Sequence, residues 1–334
     1  MGARANQKRM PQTYSTPDVS SLPQDVMRLV EENPALITDI VQLGFESLQN
    51  DFTVTYLQDE AYLYSLTAFD VARVADDDFK PQKASALNLR KAKLQDVDYD
   101  FFIPRSQVMS IALSHVRKFT GVTDLNEALD NPLALMFLQE VLKAQGSFMR
   151  QNGSFKGSRN AAGTGAINAI DGLLKKLAAG VTTDEDIPET HVVTPTSALD
   201  DSNTYKHVQD LCDAIVKYKE DLLDYDLEFR LSRATKQKYD RGRRAKYPDH
   251  VKPGEEATSP DEYSGIKFVT DPGLANKETT LITPKTNLIF GMDANIGVNK
   301  ITVKDDMKGL KVNVFFRGLF DYGYGPFIFH NGKY

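Results

Sequence analysis

Eight cations fall within residues 230–246: Arg230, Arg233, Lys236, Lys238, Arg241, Arg243, Arg244 and Lys246, opposed there by Asp240 alone. This local formal charge of +7 stands in a chain that is acidic overall, with 40 basic and 46 acidic residues and a net charge of -6. Wound on a helix, Arg233, Lys236, Arg241 and Arg244 share one face, which suits either phosphate groups or the acidic rim of an adjacent subunit. Subunit contact is favoured over DNA, because a general nucleic-acid binder is basic throughout. The plain alternative is a solvated face, since surface charges seldom need a partner.

The remaining candidates for chemistry are weaker. Asp96, Asp98 and Asp100 alternate like the first half of a calcium loop, but Phe101 stands where the turn needs glycine and Gln107 where a bidentate glutamate is required. On a strand they simply share the polar face, opposite Val97, Tyr99 and Phe101. A hydrolase using the three carboxylates would need a divalent metal that their replacement by Asn abolishes. Gly163 and Gly165 begin like a dinucleotide fingerprint, but Asn168 replaces the third glycine, the run follows a helix, and no Gly-Lys-Ser/Thr occurs. A flexible connector that must turn back sharply is the better reading. The five histidines, His115, His191, His207, His250 and His330, are dispersed with no metal-ligand spacing. The single cysteine, Cys212, lies in a helical apolar pattern and reads as a core thiol. No catalytic residue, cofactor or metal is assigned.

These residues need elements to position them. At 334 residues, 41% hydrophobic and 26% charged, the chain can build one large core or two linked ones. No apolar stretch approaches the roughly 20 residues of a membrane span, and a soluble protein made in the cytosol is expected. Residues 1 to about 24 are polar, with three prolines, and read as an arm. Two short amphipathic helices follow up to Leu48. Leu87, Leu89, Val97, Tyr99, Phe101 and Ile103 then fall on odd positions, which predicts a long hairpin with Asp76, Asp77, Asp78, Lys80 and Pro81 near its turn. Ser106 to Phe119 reads as a helix. Asp130, Asn131 and Pro132 start another, apolar around most of its circumference from Leu133 to Met149 and therefore buried on several sides. After the glycine-punctuated connector come a helix carrying Tyr205, Val208, Leu211, Cys212, Ile215 and Leu222, a strand Leu227 to Leu231, and a helix capped by Ser232 that runs to about Tyr247. Short Val-, Ile- and Phe-rich runs at 263–269, 281–293, 301–304 and 311–317 complete a sheet.

Four parts of this series carry a resemblance. They are the apolar spine helix running into a glycine turn with Asp171, Gly172 and Leu173; the helix 204–222; Leu227-Glu228-Phe229-Arg230-Leu231-Ser232 followed by an aromatic-basic helix ending at Lys246-Tyr247; and Ile282 to Asp293 before the last strand pair. In this order they resemble the major capsid proteins of tailed bacteriophages, the Hong Kong 97-like fold, over about residues 50–334. The resemblance implies an α+β subunit: an N-terminal arm at 1–50, an extended β-hairpin loop and its base at 51–105, a peripheral domain at 106–165 and 295–334 with the long spine helix and a sheet, and an axial domain at 166–294. It further implies a non-enzymatic structural protein that self-assembles into hexamers and pentamers of an icosahedral head enclosing double-stranded DNA. Expected partners are copies of itself, a portal, scaffolding or decoration proteins, and packaged DNA held without sequence preference, with no membrane. Its place is the virion, assembled in the host bacterial cytoplasm. Tyr99 and Phe101, lacking cover on a projecting hairpin, are expected to pack against a neighbouring subunit. The competing reading is a nucleic-acid-binding module built on the basic helix 230–246.

Overall fold

The computed structural model describes residues 45–58, 60–68, 85–104, 133–252, 254–294, 300–306 and 309–334. The arm up to residue 44, the hairpin turn with Asp76 to Asp78, and the helix expected at 106–119 lie outside the described residues. In chain order the elements are β1 (Thr53–Leu57), β2 (Glu60–Ala68), β3 (Ser85–Lys93), β4 (Gln95–Pro104), α1 (Leu133–Phe148), α2 (Leu173–Thr182), α3 (Thr204–Tyr218), β5 (Leu227–Leu231) and α4 (Arg233–Lys246). There follow β6 (Ile266–Thr270), β7 (Thr280–Pro284), β8 (Leu288–Asp293), β9 (Lys300–Asp306), β10 (Gly309–Tyr322) and β11 (Phe329–His330).

The described strands form three sheets. A five-stranded sheet runs β1-β8-β10-β4, with β9 also paired to β10. One edge of β10 takes β4 along residues 309–318; the other takes β9 along 309–315 and then β8 along 318–322. The four-stranded sheet runs β11-β7-β5-β6, and among the described residues β2 pairs only β3. The expectation that the closing strands complete one sheet is therefore corrected: β6 and β7 join the four-stranded sheet, while β8, β9 and β10 join the five-stranded one. Only the short turn Lys285–Asn287 separates β7 from β8.

The period of two decides what each strand buries. Val97 on β4 and Val312, Val314 and Phe316 on β10 point into a first core with Leu142, Met149, Phe155, Leu173, Leu177 and Phe290. Its rings interlock, with centroids 4.6 Å apart for Phe45 and Phe316 and 4.9 Å for Phe290 and Phe320. The second core joins Val208, Leu211, Cys212 and Ile215 of α3 to Leu227, Phe229 and Leu231 of β5, Tyr239 of α4, Ile282 and Phe329. Strand β7 serves both, since Leu281 belongs to the first core and Ile282 to the second. The same alternation turns Arg230, which faces Leu281 across the sheet, toward the first core.

The spine helix α1 ends in a π turn, Met149–Gly153, and the chain then doubles back on itself. Helix ends leave carbonyls and N–H groups without partners, and here two sets satisfy each other. Gly172, Leu173 and Leu174 donate their N–H groups to the carbonyls of Gly157, Ser154 and Phe155 at 2.8, 2.8 and 3.0 Å. The crossing leaves no room for side chains: a Cβ at Gly157 would lie 2.3 Å from the Ile170 carbonyl oxygen, and one at Gly172 2.4 Å from that of Phe155. The connector turns back sharply, as the sequence predicts, but at Gly157 and Gly172 it is close-packed where a flexible segment is expected.

Candidate subunit-contact site

The basic helix is α4, and Ser232 caps it as expected, its Oγ accepting the Thr235 N–H at 3.1 Å. Its cations are largely spent inside the molecule. Lys236 is 6% exposed and places Nζ 2.7 and 2.6 Å from the two Asp240 carboxylate oxygens, with the Phe268 ring 4.9 Å away. Arg243 pairs with Asp261 at 2.8 Å, Lys238 donates to the Leu199 carbonyl at 2.6 Å, and Lys246 lies over the Tyr205 ring. Arg241 forms an exposed two-pronged pair with Asp201, 2.8 Å on each side. Arg233 is exposed, and Arg244 is half-buried with its Nε lacking a partner among the described residues. Of the four residues expected on one open face, Lys236 is therefore corrected to a buried, neutralised position. The others remain nearer the surface. The local +7 was a property of the sequence window, not of the folded surface, because the compensating acids come from other segments.

Arg230 is wholly buried, and it lies on the seam between the two cores. Its Nη1 donates to Asp271 Oδ2 at 3.0 Å and its Nε to Glu228 Oε2 at 2.9 Å. Asp51, from the segment before β1, stands 4.0 Å from the same Nη1 and accepts from Arg150 of the π turn, whose Nη2 is 3.0 Å away. Burial, reinforced by the like charge of Asp51, pushes the Asp271 carboxyl up to about 6, against the pull of Arg230.

A second charged joint holds the β2–β3 hairpin to the body. Arg90 of β3 donates its Nε to Asp186 Oδ2 at 3.2 Å, its Nη1 to Asp321 and its Nη2 to the Tyr322 carbonyl. The guanidinium stacks 3.9 Å over the Tyr322 ring, whose hydroxyl donates to Asp186 at 2.7 Å. Sequence reasoning missed Arg90, Asp186 and Asp321, because residues 96 and 231 positions apart have no spacing signal. The hairpin this joint anchors has nine cross-strand pairs, Glu60↔Lys93 to Ala68↔Ser85, or roughly 30 Å of extended chain.

Strand β4 is not part of that hairpin, which corrects the expectation for Tyr99 and Phe101. Both pack against the first core of their own chain, the Tyr99 ring 5.6 Å from that of Phe316. It is Phe102, on the opposite face, that is 46% exposed. Asp96, Asp98 and Asp100 lie on the polar face of β4, as expected for a strand. Asp96 accepts from Arg317 at 3.0 Å, and Asn313 donates to Asp98 and Asp100 at 3.2 and 2.9 Å. Among the described residues no group of three or more His, Cys, Asp or Glu side chains is arranged to hold a metal ion, and no helix is long and apolar enough to cross a membrane. Cys212 is buried, and burial raises its thiol well above the ordinary value.

No protein-family model matches the chain, and no curated protein matches it. Solved structures do. A chain of the satellite phage P4 procapsid, in a structure including size determination (Sid) protein, is similar at a TM-score of 0.51 and 12% identity, covering 89% of this chain and 98% of that one. The capsid of Myoviridae phage XM1 gives 0.48 at 10% identity, covering 86% and 91%, and the capsid of an empty GTA particle gives 0.46 at 9%, covering 86% and 95%. The α+β architecture belongs to the class of viral shell folds. It is the Hong Kong 97-like fold of tailed-phage major capsid proteins.

Proposed function

We propose that the protein is a non-enzymatic shell subunit that assembles with copies of itself into hexamers and pentamers of an icosahedral head enclosing double-stranded DNA. The observation that carries this reading is the likeness to the P4 procapsid chain, which spans nearly the full length of both chains. The anchored hairpin supports it: a two-stranded ribbon is marginal alone and gains stability by packing on another surface. On this reading the first core is the peripheral domain and the second the axial domain, with α2 and β8 assigned to the former instead of to 166–294. Arg233, Arg241 and Arg244 then face a neighbouring subunit or the packaged DNA. Portal and scaffolding or decoration proteins are further partners, the virion is its location, and assembly takes place in the host bacterial cytoplasm.

Negative-stain electron microscopy of the purified protein is expected to show shells, rings or sheets. A strictly monomeric species at high concentration would overturn the proposal. Deleting residues 1–24, which carry few core-forming side chains, is expected to leave a folded subunit with impaired assembly; loss of the cooperative unfolding transition on deletion would contradict the domain assignment.

A further inference from the structure

Three of the five histidines, far apart in sequence, converge on the edge of the four-stranded sheet. There β11 covers β7 through the pairs Phe329↔Ile282 and His330↔Leu281. His330 is fully buried, and its Nδ1 accepts the Gly332 N–H at 2.9 Å. The ring proton must then sit on Nε2, which is enclosed and has no partner among the described residues. His191 stacks flat on Phe329, centroids 3.9 Å apart, and its Nδ1 donates to the Ile328 carbonyl at 3.2 Å. His207 of α3 holds Thr280, the first residue of β7, by a 3.1 Å bond from Nε2 to Oγ1.

Besides the burial of Ile328 and Phe329 in the two cores, the segment these rings secure is tied down almost wholly by uncharged hydrogen bonds. His330 passes its carbonyl to the Val193 N–H at 2.9 Å, Asn331 donates its N–H to the Thr280 carbonyl at 3.2 Å, and the Asn331 side chain donates to the Glu278 carbonyl at 2.7 Å. The Lys277 ammonium adds a 3.0 Å bond to the Tyr334 carbonyl. A second proton on His330 can enter only at Nδ1, where the Gly332 N–H already points, so protonation requires that turn to open.

We propose that residues 328–334 form an acid-released strap over the β7 edge. Charging His330 and His191 frees the strap and leaves the backbone of Leu281 and Ile282 open for pairing with another strand. The groups facing the rings act in both senses: the Ile328 carbonyl favours a proton on His191 and Lys219 opposes it, His191 opposes one on His330, and Asp210 favours one on His207. Burial holds His191 and His330 down at about 4 each. On release His330 returns to about 6.5, and His191, uncovered by the loss of the Phe329 ring stacked on it, moves toward the same value. The released form then binds more protons between those values, so the docked strap is fully held above about pH 6.5 and loosens as pH falls toward 4. Opening exposes a sheet edge, which templates strand addition.

The test is hydrogen exchange on the full chain between about pH 7 and about pH 4.5, corrected for the intrinsic pH dependence of exchange. Opening of 328–334 is expected to rise about tenfold per pH unit for each ring that titrates, while the amides of β10 stay protected. His191→Phe keeps the stacked ring without its titration and His330→Gln keeps an acceptor for Gly332; each is expected to flatten the rise, and His250→Gln, at an exposed site, to leave it unchanged. An unchanged slope in both strap variants overturns the proposal, as does opening of β10 in step with the strap. Should a variant fail to fold, the ring titrations of the wild-type protein decide: a His330 pKa near 6.5 overturns the strap, and one near 4 supports it.

Discussion

Two carboxylates and a carbonyl converge on the Arg90 guanidinium, and all but a small part of the group is shielded from water. Removing one partner of such a buried set leaves the others uncompensated, which costs about 3–5 kcal/mol. Arg90→Ala is therefore expected to lower the unfolding free energy by that amount, read as a lower denaturant midpoint, and to speed hydrogen exchange in β2 and β3, with less effect at β6; uniform exchange throughout would refute the anchoring role. Several residue-scale features were legible from sequence because their causes are local. The Ser232 cap, the core position of Cys212 and the outward carboxylates of β4 depend only on near neighbours and period. Arg230 and Lys236 were not legible as buried. The partner of Arg230, Asp271, lies 41 residues away, and a strand's period does not say that both of its faces will be covered. The i,i+4 partner of Lys236 was readable as a pair, but the burial of that pair under Phe268 was not.

At the scale of elements, the crossing of the spine helix's end with the start of α2 depends on backbones in direct contact. Gly157→Ala places a methyl group between two carbonyl oxygens, 2.3 and 2.5 Å from its Cβ, which neither segment can yield without breaking the shared hydrogen bonds. The expected loss is on the order of 3 kcal/mol. Gly265→Ala, in open space, should stay within about 0.5 kcal/mol; comparable melting temperatures for the two variants would argue against the crossing's role. Most strands and helices were visible as periodic apolar runs. The pairing of β7 and β8 into different sheets was not, because both are buried along almost their whole length and periodicity names the face, never the partner. The same limit assigned β4 to the hairpin, since its alternation continues that of β3.

For the molecule as a whole, pH acts on the seam between the cores and on the second core in opposite senses. The Asp271 carboxyl, raised to about 6, binds a proton in the folded state before it would in the unfolded chain, near 3.9. Its protonation thus adds stability as pH falls through 6 toward 4, by up to about 3 kcal/mol. The stability of wild type relative to Asp271→Asn, whose amide is neutral throughout, is expected to grow over that window in denaturant titrations. A constant difference would show that Asp271 stays charged. The buried histidines pull the other way, so the second core is expected to lose protection in acid while the seam tightens.

The passage of β7 into β8 through three residues has a genetic consequence. The first core draws on segments before residue 188 and after 273, and the second on the stretch between, yet Ile282 and Phe329 return to the second core from within the later segment. Neither half of the molecule is a continuous piece of sequence. A crossover that exchanged the stretch after residue 273 would import parts of both cores at once, so that region is expected to diverge by coordinated point changes at positions such as 281 and 282 more readily than by exchange as a block.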